Sequence, residues 1–349
     1  MASIHPQDSS VKQSSHPKSN LKGIQIVATG SYVPEVVVTN ADLARLGCDE
    51  EWILQRTGIQ QRRHCAPDQA TSDLAYLAGK NCLEKANVPA DELDMIIVAT
   101  MTPDHFTPST AAIVQHKLNC TAVSFDLNSA CSGFVYSLMV AAQFVKTGSC
   151  RKVLVIGADA MSRVCDPQDV KTYPLFGDAA GAALIQADPK ATENCQTGIL
   201  ANKMGTSGEL GHLIAVPGAC SRMPASEQVV AERQQFLKMN GKPVFKWAVR
   251  LIPNAVNEIL DLASLHIDDI DVLLFHQANM RIIDAALEDT NIPREKVITN
   301  LEKYGNTSAA SIPLLMDEAI ESGAASLNDT MLMCGFGAGL TWGSCIYKG

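Results

Sequence analysis

The chain has 349 residues, of which 46% are hydrophobic and 19% are charged, so it can bury one large core or two ordinary ones. Its 28 basic and 37 acidic side chains give a formal net charge of −9, which disfavours nucleic acid as a partner because phosphates would be repelled. No apolar run reaches the roughly 18 to 20 residues of a membrane-spanning helix, so no membrane association is predicted.

The first segment of the chain, residues 1–20, is rich in Ser, Pro, Lys and Gln. It contains too few apolar side chains to form a core, so we predict a disordered polar tail. It also lacks the apolar stretch of a secretory signal.

Eleven cysteines are present, but their number is odd, their spacing is irregular, and no two stand as Cys-x-x-Cys. This pattern disfavours a disulfide framework and a structural zinc site, and no metal centre is expected. Most of these cysteines are expected to be small buried hydrophobic residues. Because free thiols persist in a reducing compartment, a cytoplasmic location is predicted.

Segments about 177 residues apart resemble one another in order along the chain, which indicates an internal repeat. The matching blocks share a hydrophobic pattern and are 82–98 with 259–275, 128–139 with 305–316, and 153–157 with 331–335. The first pair predicts a helix, an acidic turn and a buried strand in each copy. The second pair sets Cys131 opposite Ser308.

Short apolar strands that alternate with helical segments are typical of the α/β class, in which helices cover the sheets. Two similar halves, 21–190 and 191–349, are predicted to pack as pseudo-symmetric partners. Ligand sites in such folds lie where strand ends meet, so both halves should supply residues to one cleft.

The first candidate residue is Cys131. The strand predicted over 123–127 runs into the sequence NSACSG at 128–133, and helical spacing without a breaker follows over 134–145. Cys131 should therefore lie near a helix N-terminus, where unpaired amides and the helix dipole favour a thiolate and lower the pKa of the thiol from about 8.5. The segment alone is equally compatible with a packing cysteine.

The second candidate is His276, which follows the apolar segment 272–275. That segment predicts a buried strand, and a helix is expected to begin near Met280. Strand ends are the usual location of functional residues in α/β sheets. A single histidine there is more often a hydrogen-bonded structural residue, so His276 alone does not establish a site.

The third candidate segment is GNTS at 305–308, which is predicted to be another junction between a strand and a helix. By the repeat, it occupies the place that the Cys131 segment occupies in the first half. Pseudo-symmetry should therefore bring Asn306 and Cys131 to the same cleft.

The glycine-rich sequence GFGAG at 335–339 follows an apolar strand near the end of the chain. A dinucleotide-binding loop is unsuitable because only ten residues remain after Gly339, too few for the helix and strand that must follow. A turn whose backbone amides point at a reacting oxyanion fits the location better.

Together these segments resemble the β-ketoacyl-acyl-carrier-protein synthase III family of the thiolase superfamily. The resemblance extends over about 21–348, nearly everything outside the tail. The runs that match the family stand in its order and are Trp52-Ile53, Arg56-Thr57-Gly58-Ile59, 128–134, Phe176-Gly177-Asp178, 276–283, 305–308 and 335–343.

The resemblance implies a thiolase-like, five-layered α/β/α/β/α fold of two related halves, usually assembled as a homodimer. It implies a catalytic triad of Cys131, His276 and Asn306, and an oxyanion hole formed by the amides of Cys131 and Ala338. The family usually has Gly at position 338, but an amide donor survives the change to Ala if the backbone dihedrals allow it.

The implied reaction is a decarboxylative Claisen condensation of acyl-CoA, with acetyl-CoA as the expected starter, and malonyl-acyl-carrier protein. The product would be a β-ketoacyl-carrier protein that initiates fatty acid synthesis, without a metal or organic cofactor. Two alternatives stay open. One is a condensing enzyme or acyltransferase of secondary metabolism, with a different starter or acceptor. The other is a silent partner subunit, which would be expected to have lost its cysteine.

The resemblance also implies residues that bind the substrates. The residues expected to bind acyl-CoA are Trp52, Arg56, Thr57, Phe176 and Phe245, with Trp52 stacking on the adenine. Those expected to dock the carrier protein are Lys246, Gln277, Ala278, Asn279, Met280 and Arg281. Val170, beside Lys171, stands where many relatives have a second stacking arginine, and Thr107 stands where a larger apolar residue is common.

Overall fold

The computed structural model describes residues 21–192, 195–288 and 290–349. The tail predicted over 1–20 lies outside the described residues. The elements of the first half are, in chain order, β1 (Leu21–Lys22), β2 (Ile24–Tyr32), β3 (Val36–Thr39), α1 (Glu50–Thr57), β4 (Gln61–His64), α2 (Thr71–Ala86), β5 (Met95–Ala99), α3 (Thr110–Lys117), β6 (Val123–Leu127), α4 (Gly133–Lys146), β7 (Lys152–Ala160) and β8 (Asp178–Ala187).

The elements of the second half follow in the same way. They are β9 (Gly198–Thr206), β10 (Ile214–Ala215), α5 (Glu227–Ala231), β11 (Lys238–Met239), α6 (Gly241–Ala263), β12 (Val272–Phe275), α7 (Met280–Glu288), α8 (Leu301–Tyr304), α9 (Ser311–Glu321), β13 (Thr330–Gly337) and β14 (Thr341–Lys348). Within the described ranges, no helix is long and apolar enough to cross a membrane.

Two five-stranded sheets organise these elements. The first sheet has the strand order β2-β8-β7-β5-β6, with β5, β6 and β7 parallel. The second has the order β1-β9-β14-β13-β12, with β12 and β13 parallel. Every strand of the first sheet precedes Lys190, whereas the second sheet takes β1 from the start of the chain, where it pairs with β9.

The sheets and helices form five layers, as the resemblance implies. Helices α4 and α9 lie between the two sheets and share one core with both of them. Helices α2 and α3 cover the outer face of the first sheet, and α6 and α7 cover the outer face of the second. Glycine permits the close central packing, because a Cβ at Gly157 would lie 2.2 Å from the carbonyl oxygen of Ala309.

The repeat is confirmed by the order of the elements. Helix α2, a 3-10 turn at Ala90–Glu92 and β5 in the first half correspond to α6, a 3-10 turn at Ile267–Asp269 and β12 in the second. The third predicted block is also confirmed, because it matches β7 with β13. These correspondences explain why the carboxyl ends of equivalent strands face one cleft.

The second block is shifted by one residue from the predicted register. The 3-10 helix Ala130–Ser132 precedes α4, just as the 3-10 helix Ser308–Ala310 precedes α9. Ala130 and Ser308 also share a left-handed backbone, with φ of 44° and 52°. Ala130, not Cys131, is therefore the counterpart of Ser308, and the turn geometry sets this register where the sequence similarity is too weak to do so.

Candidate active site

A cavity of about 710 Å³ is lined by residues of both halves. Cys131 reaches it from the junction between β6 and α4, His276 from the end of β12, and Asn306 from the turn between α8 and α9. Phe336 and Ala338 from the end of β13 line the same cavity. The structure thus brings together the three candidates that are far apart in the sequence.

Cys131 lies in the 3-10 helix directly before α4, and its Sγ donates a hydrogen bond to Ser308 Oγ at 3.6 Å. Burial raises the pKa of the Cys131 thiol to about 12, and the Ser308 hydroxyl and the amides of Cys131 and Ala338 lower it only in part. The prediction of a thiolate is therefore wrong for the resting protein. The cost of burying a charge exceeds the stabilisation that the helix start provides.

His276 is only 1% exposed and lies directly after β12. Its amide donates to the carbonyl of Cys334 at 2.9 Å, and its ring meets Phe336 edge to face, with centroids 5.2 Å apart. No described residue hydrogen-bonds to Nδ1. Burial lowers the pKa of His276 to about 3, so the imidazole is neutral at ordinary pH and keeps one N–H to donate.

Asn306 follows helix α8 and has a single β-bridge to Phe176, so the predicted strand before it is wrong. Its amide donates to the carbonyl of Leu175 at 2.8 Å, and its side-chain Oδ1 accepts from the amide of Ser308 at 2.9 Å. The acceptor end of the side chain is thus held by backbone. The Nδ2 group is left as the donor at the cavity wall, where Asn306 is one of the lining residues.

Ala338 occupies the turn between the antiparallel strands β13 and β14, so a dinucleotide-binding loop is excluded here. Gly335 and Gly337 lie inside β13, and only the end of the predicted glycine-rich segment forms the turn. The backbone φ of Ala338 is not positive, so the turn accepts alanine without strain. Its carbonyl accepts from Thr341 Oγ1 at 2.9 Å, and its amide lies near enough to Cys131 to lower the thiol pKa.

Gly337 is a site residue that the sequence reasoning missed. A Cβ on Gly337 would lie 2.7 Å from the Cβ and 2.9 Å from the Sγ of Cys131. A glycine within a strand is the sequence signal for such a close approach. This glycine allows β13 to pass directly behind the thiol.

Replacing Gly337 with alanine is expected to displace Cys131 and to lower the rate of its acylation by about 10²-fold, because small misplacements of a nucleophile are costly. The overpacking should also lower the free energy of unfolding by about 1–3 kcal/mol. Acylation kinetics and denaturant unfolding would measure the two effects. Gly208→Ala is the control, since a Cβ there meets nothing within 4 Å. Equal acylation by both variants would contradict this role of Gly337.

Helix α1 forms one side of the cavity. The guanidinium of Arg56 lies 4.5 Å above the ring of Trp52, and both residues line the cavity with Thr57. The Thr57 hydroxyl donates to the carbonyl of Ile53 at 2.7 Å and accepts from the amide of Ile59 at 3.0 Å. Because the carbonyl of Ile53 takes its proton, the Thr57 hydroxyl can meet a substrate only as an acceptor or by van der Waals contact.

The other residues expected to bind the acyl-CoA also line the cavity. Phe176 is buried beside Asn306, and Phe245 projects from α6 with Arg281 5.8 Å above its ring. Val170 packs in the apolar cluster that contains Trp52, and the neighbouring Lys171 is exposed. A charged group is thus present where the stacking arginine of many relatives is missing.

One of the expected docking residues is buried. Gln277 is only 1% exposed, and its side chain donates to the carbonyl of Phe275 at 2.8 Å and accepts from the amide of Asn300 at 3.2 Å. The expectation that Gln277 contacts a carrier protein is therefore wrong. It instead fixes the backbone beside His276, a task that its position in the sequence does not reveal.

The remaining docking candidates lie closer to the surface. Lys246 and Arg281 are exposed, whereas Ala278, Asn279 and Met280 are half-buried. The side-chain amide of Asn279 is already hydrogen-bonded within the protein. Its Nδ2 donates to the carbonyl of Arg56 at 3.1 Å, and its Oδ1 accepts from the amide of Arg281. Lys246 and Arg281 are the members of this group that are free to meet a macromolecule.

The charge of the cavity wall is opposite in sign to that of the whole chain. The ionisable lining residues other than Cys131 and His276 are all basic, namely Arg56, Lys171, Lys242, Lys246 and Arg281. No described Asp or Glu lines this cavity. The wall is therefore suited to an anionic ligand, although the formal net charge of the protein is −9.

Two related halves with a cysteine, a histidine and an asparagine around one cavity define a thiolase-like condensing enzyme. A family model described as 3-oxoacyl-[acyl-carrier-protein] synthase III matches residues 125–208, and the model of its C-terminal part matches residues 260–348. The chain belongs to the β-ketoacyl-acyl-carrier-protein synthase III family and is a condensing acyltransferase.

Individual relatives support this assignment. The chain is 51% identical to the β-ketoacyl-[acyl-carrier-protein] synthase III of Rhodopirellula baltica, over 94% of this chain and 99% of that protein. It is 40% identical to the solved 3-oxoacyl-[acyl-carrier-protein] synthase III of Aquifex aeolicus, with a TM-score of 0.84 over 94% of this chain and 100% of that one. The solved priming β-ketosynthase of the R1128 polyketide pathway is 34% identical to this chain. Its TM-score is 0.84 over 94% of this chain and 96% of that one.

Proposed function

We propose that this protein condenses acyl-CoA with malonyl-acyl-carrier protein, releases carbon dioxide and CoA, and gives the β-ketoacyl-carrier protein that begins fatty acid synthesis. The observation that supports it most is the convergence of Cys131, His276 and Asn306 on one cavity. The decisive assay supplies acetyl-CoA and malonyl-carrier protein and detects the β-ketoacyl carrier by mass spectrometry. Failure to form it from any acyl-CoA would contradict the proposal.

In the first step, Cys131 attacks the thioester carbonyl of acyl-CoA. The oxyanion of the tetrahedral intermediate accepts hydrogen bonds from the amides of Cys131 and Ala338. Collapse of the intermediate releases CoA and leaves the acyl group on Cys131. The fixed turn at Ala338 and the glycine at 337 support this role, because the donors need no reorganisation as charge develops.

In the second step, the malonyl thioester takes the place of CoA. Its thioester carbonyl accepts hydrogen bonds from His276 and Asn306, which stabilise the enolate that forms as carbon dioxide leaves. The enolate carbon then attacks the acyl group on Cys131. The low pKa of His276 supports this role, since a neutral imidazole donates one hydrogen bond without drawing a proton from the enolate.

The proposed chemistry needs no metal or organic cofactor. Loss of carbon dioxide itself supplies the carbanion, so the protein has only to stabilise the negative charge on oxygen. We expect exhaustive dialysis against a chelator to leave the condensation rate unchanged, and a loss restored by one metal ion would contradict this part of the proposal.

Carrier-protein docking is assigned to the exposed bases Lys246 and Arg281. Carrier proteins are acidic, so Arg281→Glu is expected to lower kcat/KM for malonyl-carrier about tenfold or more, through loss of charge complementarity. The same variant should process a malonyl thioester without a carrier at the original rate. Arg222→Glu, on an exposed site away from the cavity, is the charge-matched control. Equal losses with both malonyl substrates would remove Arg281 from this role.

We also propose that the protein is a homodimer. Phe106 is 86% exposed in the loop before α3, and β6 is an edge strand whose first residue, Val123, is 62% exposed. Exposed edge strands are usually covered, and a second copy would cover this one. Sedimentation equilibrium should give twice the chain mass of 37.4 kDa, and a monomer mass would contradict the proposal.

A cytoplasmic location is proposed on the basis of the cysteines. All eleven lie within the described residues, and each has a free thiol. Several are buried core residues, which reducing conditions would keep intact. Fractionation of cells that produce the protein would test this proposal, and recovery outside the cytoplasmic fraction would contradict it.

A second candidate is the priming condensation of a polyketide-type pathway. The similarity to a priming β-ketosynthase favours it, as does the small Thr107 beside Phe106, which is consistent with a starter larger than acetyl. A panel of acyl-CoAs of different length and branching separates the two. Preference for acetyl-CoA supports initiation of fatty acid synthesis, and preference for a longer starter supports the second candidate.

A further inference from the structure

A buried carboxylate stands next to the site and takes no part in the steps described above. Asp159 of β7 is 0% exposed, and no ion pair among the described residues includes it. Its Oδ1 accepts from Thr100 Oγ1 at 2.9 Å, from the Met101 amide at 2.8 Å and from Thr102 Oγ1 at 2.8 Å, and its Oδ2 accepts from the Ala309 amide at 3.1 Å. A buried carboxylate without a cation is costly.

Ser308 connects this carboxylate to the nucleophile. Its Oγ accepts the hydrogen bond from the Sγ of Cys131 at 3.6 Å. Its side chain also lies close enough to Asp159 to lower the pKa of that carboxyl, and the amide of the next residue, Ala309, donates to Asp159 Oδ2 at 3.1 Å. Its amide is fixed by Oδ1 of Asn306 at 2.9 Å. The Ser308 hydroxyl therefore lies between the thiol and the buried carboxylate.

Acylation requires a base that the assigned residues do not provide. The Cys131 thiol is protonated at rest, so its proton must leave as the sulfur attacks. His276 and Asn306 are assigned to the malonyl thioester, and neither forms a hydrogen bond with the thiol, whereas Ser308 does. Burial raises the pKa of Asp159, which makes this carboxylate a better proton acceptor than an exposed one.

We propose that Ser308 and Asp159 form a proton relay for Cys131. As the sulfur bonds to the acyl carbon, the thiol proton passes to Ser308 Oγ and the hydroxyl proton of Ser308 passes to the carboxylate. The carbonyl electrons move to the oxyanion, and their return breaks the bond to CoA, which leaves as a thiolate and is protonated by water. In the condensation, Cys131 leaves as a thiolate and takes the stored proton back through Ser308.

The relay deepens the proposed function and rests on it. Ser308 touches the reacting sulfur, and Asp159 is a positioning residue that acts through Ser308. The titratable groups around the relay are Cys131 itself and His276 across the cavity. The groups that face Asp159 from the segment after β5 and from the 3-10 helix before α9 are hydroxyls and amides, so they do not titrate near neutral pH.

The test is the pH dependence of acyl-enzyme formation, followed by rapid quenching and intact-protein mass spectrometry. In the wild type, the rate should stay flat between about pH 6 and pH 9 because the base is internal. In Ser308→Gly, it should be about 10²-fold lower at pH 7 and rise about tenfold per pH unit, since only thiolate formed by solvent reacts. Glycine suits the left-handed backbone at position 308, so this variant removes the hydroxymethyl side chain without straining the backbone.

Two further variants make the result decisive. Asp159→Asn should show the same pH slope as Ser308→Gly, and if it does not fold, Ser308→Gly decides alone. Ser137→Ala removes a buried hydroxyl of α4 that no described residue hydrogen-bonds, and it should keep the flat dependence of the acylation rate on pH. If the rate of acylation depends on pH in the same way in the wild type and in Ser308→Gly, the relay is overturned. If the wild type never acylates Cys131, the proposed function is overturned instead.

Discussion

Replacing Cys131 with alanine is expected to abolish acyl-enzyme formation and to slow condensation by about 10⁴-fold or more, because no other group can hold the acyl chain. Intact-protein mass spectrometry after incubation with a panel of acyl-CoAs measures the adduct and identifies the preferred starter. The variant should still decarboxylate malonyl thioester, since that step is assigned to residues of the second half.

The matched control is Cys220→Ala, which removes a half-buried thiol outside the cavity. It should acquire the acyl group at the wild-type rate. An adduct that persists in Cys131→Ala, or is lost in Cys220→Ala, would overturn the assignment of the nucleophile. The comparison separates acylation at the site from non-specific reaction of the other ten cysteines.

Replacing His276 or Asn306 with alanine is expected to leave acylation of Cys131 intact and to slow decarboxylation of malonyl thioester by about 10²–10³-fold, since each removes one donor to the developing oxyanion. Asn306→Asp is the sharper variant. It keeps an oxygen for the amide of Ser308 but removes the Nδ2 donor, so it should lose decarboxylation while keeping the local backbone. Release of carbon dioxide from labelled malonyl thioester measures the rate.

The pH dependence of this step follows from the burial of His276. Because the pKa of His276 is lowered to about 3, its imidazole stays neutral above that pH and gains a proton only below it. Decarboxylation should therefore stay flat from about pH 5 to pH 8, with no inflection near the usual value of about 6.5. An inflection that disappears in His276→Ala, or unimpaired decarboxylation in either alanine variant, would contradict the assigned roles.

Much of the fold could be predicted from the chain because the evidence was local. Apolar strands such as Met95–Ala99 and Val272–Phe275 lie where their composition indicates, since a buried strand must be hydrophobic on both faces. The repeat then indicated that two halves would share a cleft. The register of its second block was missed by one residue, because similarity this weak does not fix the position of a left-handed turn.

The environment of each candidate was much less accessible to sequence reasoning. Gln277 was expected to dock a carrier protein because it lies in a segment that resembles the family's docking segment, yet it is buried by contacts with residues more than twenty positions away. The hydroxyl of Thr57 is used by its own helix. Whether a side chain faces solvent or the core depends on what packs against it, and those partners are distant in the chain.

The sequence by itself determined the family, the α/β class, and the location of Cys131, His276 and Asn306 at the ends of elements. The tertiary structure alone decided that burial keeps the thiol and the imidazole neutral, that Gly337 passes behind Cys131, and that Asp159 lies within reach through Ser308. The physical reason is that composition and periodicity are local properties. Desolvation and hydrogen-bond geometry depend on groups that only the folded chain brings together.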